Sequence, residues 1–284
     1  MLEVFKAILF GIVEGITEWL PVSSTGHMIL LDQFIKLDVS EEFYEFFQVV
    51  IQLGAILAVI LIYFKEIFPW GFGKGKKDTK KTLNLWGKII VACLPAAVLG
   101  LLFDDWLDAH LYNAVVVALM LIIYGVLFIF VETRPRDKKK ITTRSMDEIT
   151  YKQALGVGAF QLLALIPGTS RSGATILGGL MLGMKRKTIS DFTFILAIPV
   201  MAGASLLKFV KYVHEVGFAM TGIEVMVLIV GCVVAFVVSY FVIKGLLSYI
   251  RKHNFVIFGI YRIILGIIVL IYFLATGQLT AILG

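Results

Sequence analysis

Residues 7–31 read AILFGIVEGITEWLPVSSTGHMILL, and residues 154–182 read ALGVGAFQLLALIPGTSRSGATILGGLML. Each stretch is apolar at both ends and is interrupted near its middle by a proline followed by small residues and a run of Ser and Thr. An unbroken apolar stretch of this length would cross a bilayer as one helix, but the interruption favours two helices joined by a turn. We therefore predict a re-entrant helical hairpin over 7–31 and a second one over 154–182.

The two stretches are copies of one another, because they align when the chain is shifted by 147 residues. The coinciding pairs are Glu14 with Gln161, Ser23 with Ser170, Thr25 with Ser172 and Gly26 with Gly173. Self-similarity at a fixed spacing in an apolar chain is typical of membrane proteins built from internal repeats.

The composition assigns the whole chain to the membrane. Of its 284 residues, 59% are hydrophobic and only 16% are charged, whereas an average soluble domain has about 25% charged residues. Six segments are apolar and long enough, with their flanks, to cross the hydrocarbon core. These segments are 46–64, 89–103, 114–131, 192–207, 225–243 and 255–275.

These segments predict an all-α polytopic membrane protein with two inverted-topology repeats, each a re-entrant helical hairpin plus three transmembrane helices. Repeat 1 comprises residues 1–131, residues 132–149 form a charged cytoplasmic linker, and repeat 2 comprises residues 150–284. An odd number of crossings in each repeat inverts the second repeat relative to the first, and such proteins bind their substrates near the bilayer midplane, where the broken helices meet.

The basic residues set the orientation. If the 65–88 loop is cytoplasmic, 20 Lys and Arg residues lie in inner loops and four lie outside, which is a strong positive-inside bias. Both termini are then outside. The formal net charge of +6 comes from these basic inner loops, which set the orientation and contact anionic lipid. We therefore expect no nucleic-acid partner.

The first broken stretch contains two carboxylates, Glu14 and Glu18, on one helical face. Like charges at this spacing destabilise a helix, and a carboxylate inside a membrane costs about 2.5–3.5 kcal/mol on insertion scales. A bound cation, a shared proton or Arg171 must compensate them. We predict that Glu14 and Glu18 hold a divalent cation, which usually also takes phosphate oxygens as ligands.

The turns in the middle of the two broken stretches, PVSSTGH at 21–27 and PGTSRSG at 167–173, provide candidate phosphate-binding groups and nucleophiles. Gly- and Ser-rich turns that open a helix present backbone N–H groups to an anion, and Arg171 adds a bidentate grip on phosphate. Ser24 and His27 are the candidate nucleophiles. We favour attack by Ser24 with His27 as base, and the reverse assignment stays open. The candidate substrate-binding residues are Ser23, Thr25, Gly26, Thr169, Ser170, Ser172, Gly173 and Gln52.

For some polar and aromatic residues within or beside the apolar segments, a purely structural role competes with a role in the site. Gln48 and Gln52 share a face of one apolar helix, and each is either an interhelical hydrogen-bond partner or a support for the glutamates. Arg262 is expected to be a structural charge facing the bundle, or an interfacial one, rather than a phosphate ligand. Tryptophans at segment ends are expected to be interfacial anchors. They are Trp19, Trp70, Trp86 and Trp106.

EGITEWLPVSSTGH at 14–27, IQLGAILAV at 51–59 and PGTSRSGATI at 167–176 resemble the undecaprenyl-diphosphate phosphatase family, also called the bacitracin-resistance protein family. The resemblance covers essentially the whole chain. It implies an integral membrane hydrolase that converts undecaprenyl diphosphate to undecaprenyl phosphate and inorganic phosphate. This reaction recycles the carrier lipid for peptidoglycan synthesis and confers bacitracin resistance, because bacitracin sequesters the diphosphate.

The resemblance also implies a cofactor, a location and site residues. The cofactor is a divalent cation, Mg²⁺ or Ca²⁺, and the location is the bacterial plasma membrane with the site opening outward. The partners are the lipid substrate and the bilayer, and a homodimer is left open. The family's motif residues fall on Glu14, Glu18, Ser24, His27 and Arg171, with Ser170 beside the arginine.

A transporter or flippase of a polyprenyl phosphate or another anion is the alternative function. Inverted repeats with broken helices are common among secondary transporters, and Glu14 with Glu18 would then carry protons or Na⁺. A carrier needs Arg171 and the carboxylates but has no use for a Ser24–His27 nucleophile set. Metal-dependent release of phosphate from a lipid diphosphate therefore separates the two functions.

Overall fold

The computed structural model describes residues 1–69, 79–111, 113–134, 141–217 and 220–276. Eleven α-helices lie within these ranges. They are α1 (Leu2–Thr17), α2 (Ser24–Phe34), α3 (Glu41–Ile62), α4 (Phe64–Ile67), α5 (Thr79–Leu111), α6 (Ala114–Thr133), α7 (Tyr151–Leu162), α8 (Arg171–Met181), α9 (Arg186–Val216), α10 (Gly222–Tyr249) and α11 (Val256–Ala275). The described residues contain no strand, and their one isolated β-bridge joins Thr143 to Met184.

Six helices are long and apolar enough to cross a membrane, which confirms the predicted all-α polytopic class. They are α3, α5 as far as Phe103, α6, α9, α10 and α11. Large apolar side chains on their outer faces are exposed, as a lipid-facing surface requires, and Leu102 and Phe241 are 69% and 67% exposed. Of the predicted linker 132–149, residues 135–140 lie outside the described residues, as do residues 277–284 at the end of predicted repeat 2.

Polar residues at the helix starts explain where several helices begin. Thr150 caps α7 and Thr221 caps α10, each in a reciprocal capping box with the Gln or Glu three residues later. Ser40 and Asn113 accept hydrogen bonds from the first turns of α3 and α6. Such caps satisfy amide groups that a helix N-terminus leaves unpaired, and each contributes about 1 kcal/mol.

Both apolar stretches quoted above are interrupted in the structure, and in the same way. Helices α2 and α8 are each 11 residues long, and both their first and last residues are 147 residues apart. The caps before them, Ser23 and Ser170, have φ values of 73° and 72°, and they are the only described non-glycine residues with positive φ. Each cap side chain accepts the amide hydrogen of a glycine three residues later. The two turns therefore share one local conformation.

Helices α6 and α11 cross at two glycines, and this crossing brings the last helix close to both turns. A Cβ atom added to Gly125 would lie 2.7 Å from the carbonyl oxygen of Gly259, and one added to Gly259 would lie 2.7 Å from that of Gly125. Only glycine permits so close an approach, and small residues at helix crossings are usual in membranes.

The prediction of an interfacial anchor is wrong for Trp19. This side chain is fully buried and packs edge-to-face against Phe194, with ring centroids 5.4 Å apart. It follows α1 directly and turns into the core beside the first break. Trp86 is half-buried and donates to the carbonyl of Ile67, whereas Trp106 is exposed. Trp70 lies outside the described residues.

Candidate active site

The two turns meet at an ion pair. Nη2 of Arg171, the first residue of α8, lies 3.0 Å from Oε1 of Glu18, the residue directly after α1. Both side chains are nearly buried, with 11% and 7% of their surfaces exposed. A hydroxyl reinforces the junction, because Ser172 Oγ donates to the backbone carbonyl oxygen of Glu18 at 3.0 Å. The structure thus brings together residues that are 153 positions apart in the sequence.

Glu18 also accepts a hydrogen bond from Ser24. Ser24 Oγ donates to Oε2 of Glu18 at 2.6 Å, so the two carboxylate oxygens serve two different partners. Ser24 and Arg171 occupy the same position in their helices, the first residue after a positive-φ serine cap. The repeated turn therefore presents a hydroxyl from one copy and a guanidinium from the other to a single carboxylate.

The guanidinium of Arg171 is only partly satisfied. Its Nη1 donates to the carbonyl of Thr193 on α9 at 3.0 Å, and its Cζ lies 5.9 Å from the centroid of the Trp19 ring. Its Nε is buried and has no hydrogen-bond partner among the described residues. Buried donors are seldom left unpaired, so this atom is available to an anion.

Glu14 lies one helical turn before Glu18 and is 1% exposed. Its Oε1 has no hydrogen-bond partner among the described residues, and its carboxylate interacts electrostatically with Glu18 and Arg171. A buried, unpartnered carboxylate oxygen beside a second carboxylate fits a divalent cation. No group of three or more His, Cys, Asp or Glu side chains that could hold a metal occurs in the described ranges. A cation here would therefore complete its ligands with water or phosphate oxygens, as Mg²⁺ usually does.

His27 faces away from Ser24. Its Nδ1 lies 2.7 Å from the carbonyl oxygen of Ser23, which can only accept, so Nδ1 carries the hydrogen. Its Nε2 lies 2.6 Å from the hydroxyl of Tyr261, which donates to it when the ring is neutral. The His27 and Tyr261 rings are parallel within 3°. The structure joins Ser24 to Glu18 rather than to the histidine, because both ring nitrogens of His27 have other partners.

The other predicted substrate-binding residues divide into two groups. Ser23 and Ser170 cap the helices through the amides of Gly26 and Gly173, and Ser170 Oγ lies 3.2 Å from Ser172 Oγ. These residues shape the turns.

Thr169 is fully buried, and its hydroxyl has no partner among the described residues. Thr25 and Gln52 are half-buried on α2 and α3. No hydrogen bond among the described residues joins either side chain to Glu18 or Arg171.

Two neighbouring residues of α11 belong to the site and were not predicted for it. Tyr261 contacts His27, and Arg262 donates hydrogen bonds to carbonyls of both turns. The sequence places a charge in the last apolar segment, for which it indicates only a structural role. Nothing in the spacing linked it to turns 94 and 241 residues away.

Comparisons with known proteins identify the family of this chain. The family model described as bacitracin resistance protein BacA matches residues 7–268. An undecaprenyl-diphosphatase of Enterococcus faecalis is 56% identical over 273 residues, which is 95% of this chain and 97% of the relative. One from Desulfitobacterium hafniense is 57% identical over 276 residues, or 97% and 98% of the two chains. Undecaprenyl-diphosphatase 1 of Clostridioides difficile is 53% identical over 273 residues, or 96% and 97%. The chain belongs to the bacitracin resistance protein BacA family.

Proposed function

We propose that this protein hydrolyses undecaprenyl diphosphate to undecaprenyl phosphate and inorganic phosphate. Its relatives carry the name undecaprenyl-diphosphatase, and the observation that carries the proposal is the buried junction of Glu18 with Arg171 and Ser24. The junction combines a guanidinium that can bind phosphate, a hydroxyl that can attack phosphorus and a carboxylate that can accept the proton of that hydroxyl. The reaction returns the carrier lipid to peptidoglycan synthesis, and it counters bacitracin, which sequesters the diphosphate.

We propose that the two halves are inverted repeats and that each broken stretch is a re-entrant hairpin. The common offset of α2 and α8 and the shared positive φ at Ser23 and Ser170 support a repeated unit. Three candidate spans follow each unit, and an odd number of crossings inverts the second copy. The basic loops support an orientation in the plasma membrane with both termini outside, and we place the opening of the site on that side. A homodimer stays a prediction.

In the proposed first step, Ser24 attacks the terminal phosphorus. A bond forms between Ser24 Oγ and that phosphorus, the bond to the bridging oxygen breaks, and undecaprenyl phosphate leaves. The hydroxyl proton passes to Glu18, whose Oε2 lies 2.6 Å from Ser24 Oγ. A positioned base makes a hydroxyl an effective nucleophile, and the structure supports Glu18 in this role better than His27. Water then hydrolyses the phosphoserine and releases inorganic phosphate.

Arg171 and the helix starts would hold the charge that develops on the phosphoryl oxygens. The Nε of Arg171, which has no partner among the described residues, and the N-termini of α2 and α8 would present N–H donors to it. Prearranged donors of this kind usually provide the largest part of catalysis. Breaking the Arg171–Glu18 contact on substrate binding would free both Arg171 for phosphate and Glu18 for the proton.

Glu14 and Glu18 would hold the divalent cation, Mg²⁺ or Ca²⁺. Glu14 provides the unpartnered oxygen, and each oxygen of Glu18 has a second lone pair beyond the bond it already accepts. When bound, the cation neutralises charge on the diphosphate oxygens and lowers the repulsion that an attacking oxygen meets. His27 has Nδ1–H fixed on Ser23, and its Nε2, which accepts from Tyr261 in this structure, would take a proton from the hydrolytic water once that hydroxyl turns away.

Phosphate release from farnesyl diphosphate by the protein purified in detergent tests the function. We expect release that a chelator abolishes and that added Mg²⁺ or Ca²⁺ restores. The variant Glu14→Gln should require more cation, while Arg144→Gln, on an exposed loop, should match the wild type. An absence of metal-dependent release from active preparations would contradict the proposal and favour the carrier function.

A further inference from the structure

Arg262 is a fully buried arginine in the middle of α11, on the face that packs against α6. Its guanidinium donates hydrogen bonds to five backbone carbonyls, at distances of 2.8–3.4 Å. These carbonyls belong to Pro21, Met120, Leu121, Gly168 and Thr169. Nε and Nη1 each donate to one carbonyl, and the two hydrogens of Nη2 are shared among three.

The acceptors of Arg262 belong to three separate parts of the chain. Pro21 is in the first turn, with its carbonyl oxygen 3.1 Å from Nη1 of Arg262. Gly168 and Thr169 are in the second turn, at 2.8 and 2.9 Å from Nη2. The remaining two acceptors are on α6, which Arg262 reaches because α6 and α11 cross at glycines. One side chain therefore spans both turns and fixes them to the helix behind them.

The charge of Arg262 has no carboxylate partner among the described residues. None of the salt bridges in the described part of the chain includes it, and its aromatic neighbour is Tyr124, whose ring centroid lies 5.5 Å from its Cζ. Arg262 interacts electrostatically with His27, and its Nη1 would lie 3.4 Å from a Cβ atom added to Gly173. A buried charge is normally paired, and an anion held at the two turns would provide the counter-charge.

We propose that Arg262 is a positioning residue for the reaction at the two turns. It does not touch the substrate, but it sets the distance between the turn that holds Ser24 and the turn that holds Arg171, and it places a positive charge behind the diphosphate. The inference rests on the proposed function. A positioning role differs from an ordinary structural role in its effect on turnover. Loss of a merely structural charge would lower the amount of folded protein without changing the turnover of each folded molecule.

Three variants test this role in the phosphate-release assay. Arg262→Gln keeps some N–H donors but removes the charge, and Arg262→Lys keeps the charge but loses the branched guanidinium. Arg251→Gln is the control, because Arg251 is exposed after α10. With active-site concentrations normalised to folded protein, we expect Arg262→Gln to lower kcat about 100-fold, as expected for catalytic groups displaced by about 1 Å. We expect KM to change less than about threefold, because Arg262 does not touch the substrate. Arg262→Lys should restore part of the lost kcat, and the control should match the wild type.

A folded Arg262→Gln with kcat within threefold of the wild type would overturn the proposal. If Arg262→Gln does not fold, Arg262→Ala is purified with methylguanidinium, which fits the cavity that the truncated side chain leaves. Recovery of both folding and phosphate release supports the positioning role. Recovery of folding alone overturns it.

The wild-type protein in the same assay separates this inference from the proposed function. If the wild type releases no phosphate, the proposed function fails, and thermal stabilisation by inorganic diphosphate then measures the role of Arg262 in anion binding. Stabilisation of the wild type and of Arg251→Gln, but not of Arg262→Gln, supports the role. Equal stabilisation of all three overturns it.

Discussion

Nη2 of Arg171 lies 3.0 Å from Oε1 of Glu18, across a junction between two turns that repeat at an interval of 147 residues. Each charge would be costly alone inside a membrane, and removing one partner of a buried pair typically costs about 3–5 kcal/mol. Their contact ties the two halves of the chain together at the point where the first residues of α2 and α8 face one carboxylate.

Glu18→Gln should abolish most activity while keeping the shape of the side chain. The amide cannot accept the proton of Ser24 and does not balance the charge of Arg171, so we expect kcat to fall about 10²–10³-fold. Steady-state phosphate release measures the effect, and Glu42→Gln, exposed at the start of α3, is the control. A Glu18→Gln variant that retained a tenth of the wild-type kcat would argue against Glu18 as the base.

Tyr261→Phe should slow turnover without unfolding the protein. The phenylalanine keeps the stack on His27 but loses the hydrogen bond to Nε2, which is worth about 0.5–1.5 kcal/mol, so we expect kcat to fall about three- to tenfold. A second stacked pair, Tyr249 with His253 at the end of α10, has ring centroids 4.5 Å apart and provides the control Tyr249→Phe. Equal activities of the two variants would show that Tyr261 does not orient His27.

Gly168→Ala should destabilise the second turn. Gly168 has φ of 89°, and an added Cβ would lie 2.5 Å from the carbonyl oxygen of Val117. Left-handed strain and overpacking together cost about 2–4 kcal/mol, measurable as a lower free energy of unfolding. In the control Gly203→Ala, nothing lies within 4 Å of the added Cβ, and alanine should stabilise α9 by about 0.5–1 kcal/mol. A neutral Gly168→Ala would mean that the turn relaxes freely.

The ion pair between buried Glu132 and partly exposed Arg186 should affect stability and leave turnover unchanged. Glu132 at the end of α6 accepts from Arg186 at the start of α9 and from the amide of Phe255. Arg186→Met leaves the Glu132 charge uncompensated, and we expect a loss of about 3–5 kcal/mol in unfolding free energy. Arg186→Met combined with Glu132→Gln should cost less than the sum of the single changes. Additive losses would show that the two side chains do not interact.

The sequence was sufficient to predict the six long helices and the two breaks, because these depend on local patterns. Apolar runs of spanning length marked six helices, and proline with small polar residues marked both breaks. The alignment at 147 residues matched Ser23 with Ser170, and the structure gives both the same backbone conformation. The positive φ itself was not predictable, since serine seldom adopts it.

The long-range partners of the site residues could not be read from the sequence. Arg262 bonds to backbone carbonyls, which every residue has, so no residue type marks its partners. His27 lies three residues after Ser24, which suggested a nucleophile and base. The turn instead directs Ser24 to Glu18, and His27 to Ser23 and Tyr261. The position of Trp19 at the end of an apolar segment predicts an interfacial side chain, but the break turns it into the core.

Trapping the phosphorylated protein tests most directly whether Ser24, activated by Glu18, attacks the lipid diphosphate. The protein is mixed with farnesyl diphosphate labelled on its terminal phosphate, quenched in acid or in alkali, and digested to locate the label. We expect an acid-stable, alkali-labile phosphate on the peptide that contains Ser24, and no label in Ser24→Ala. An acid-labile phosphate on His27 would contradict attack by Ser24 and the role of Glu18 as its base.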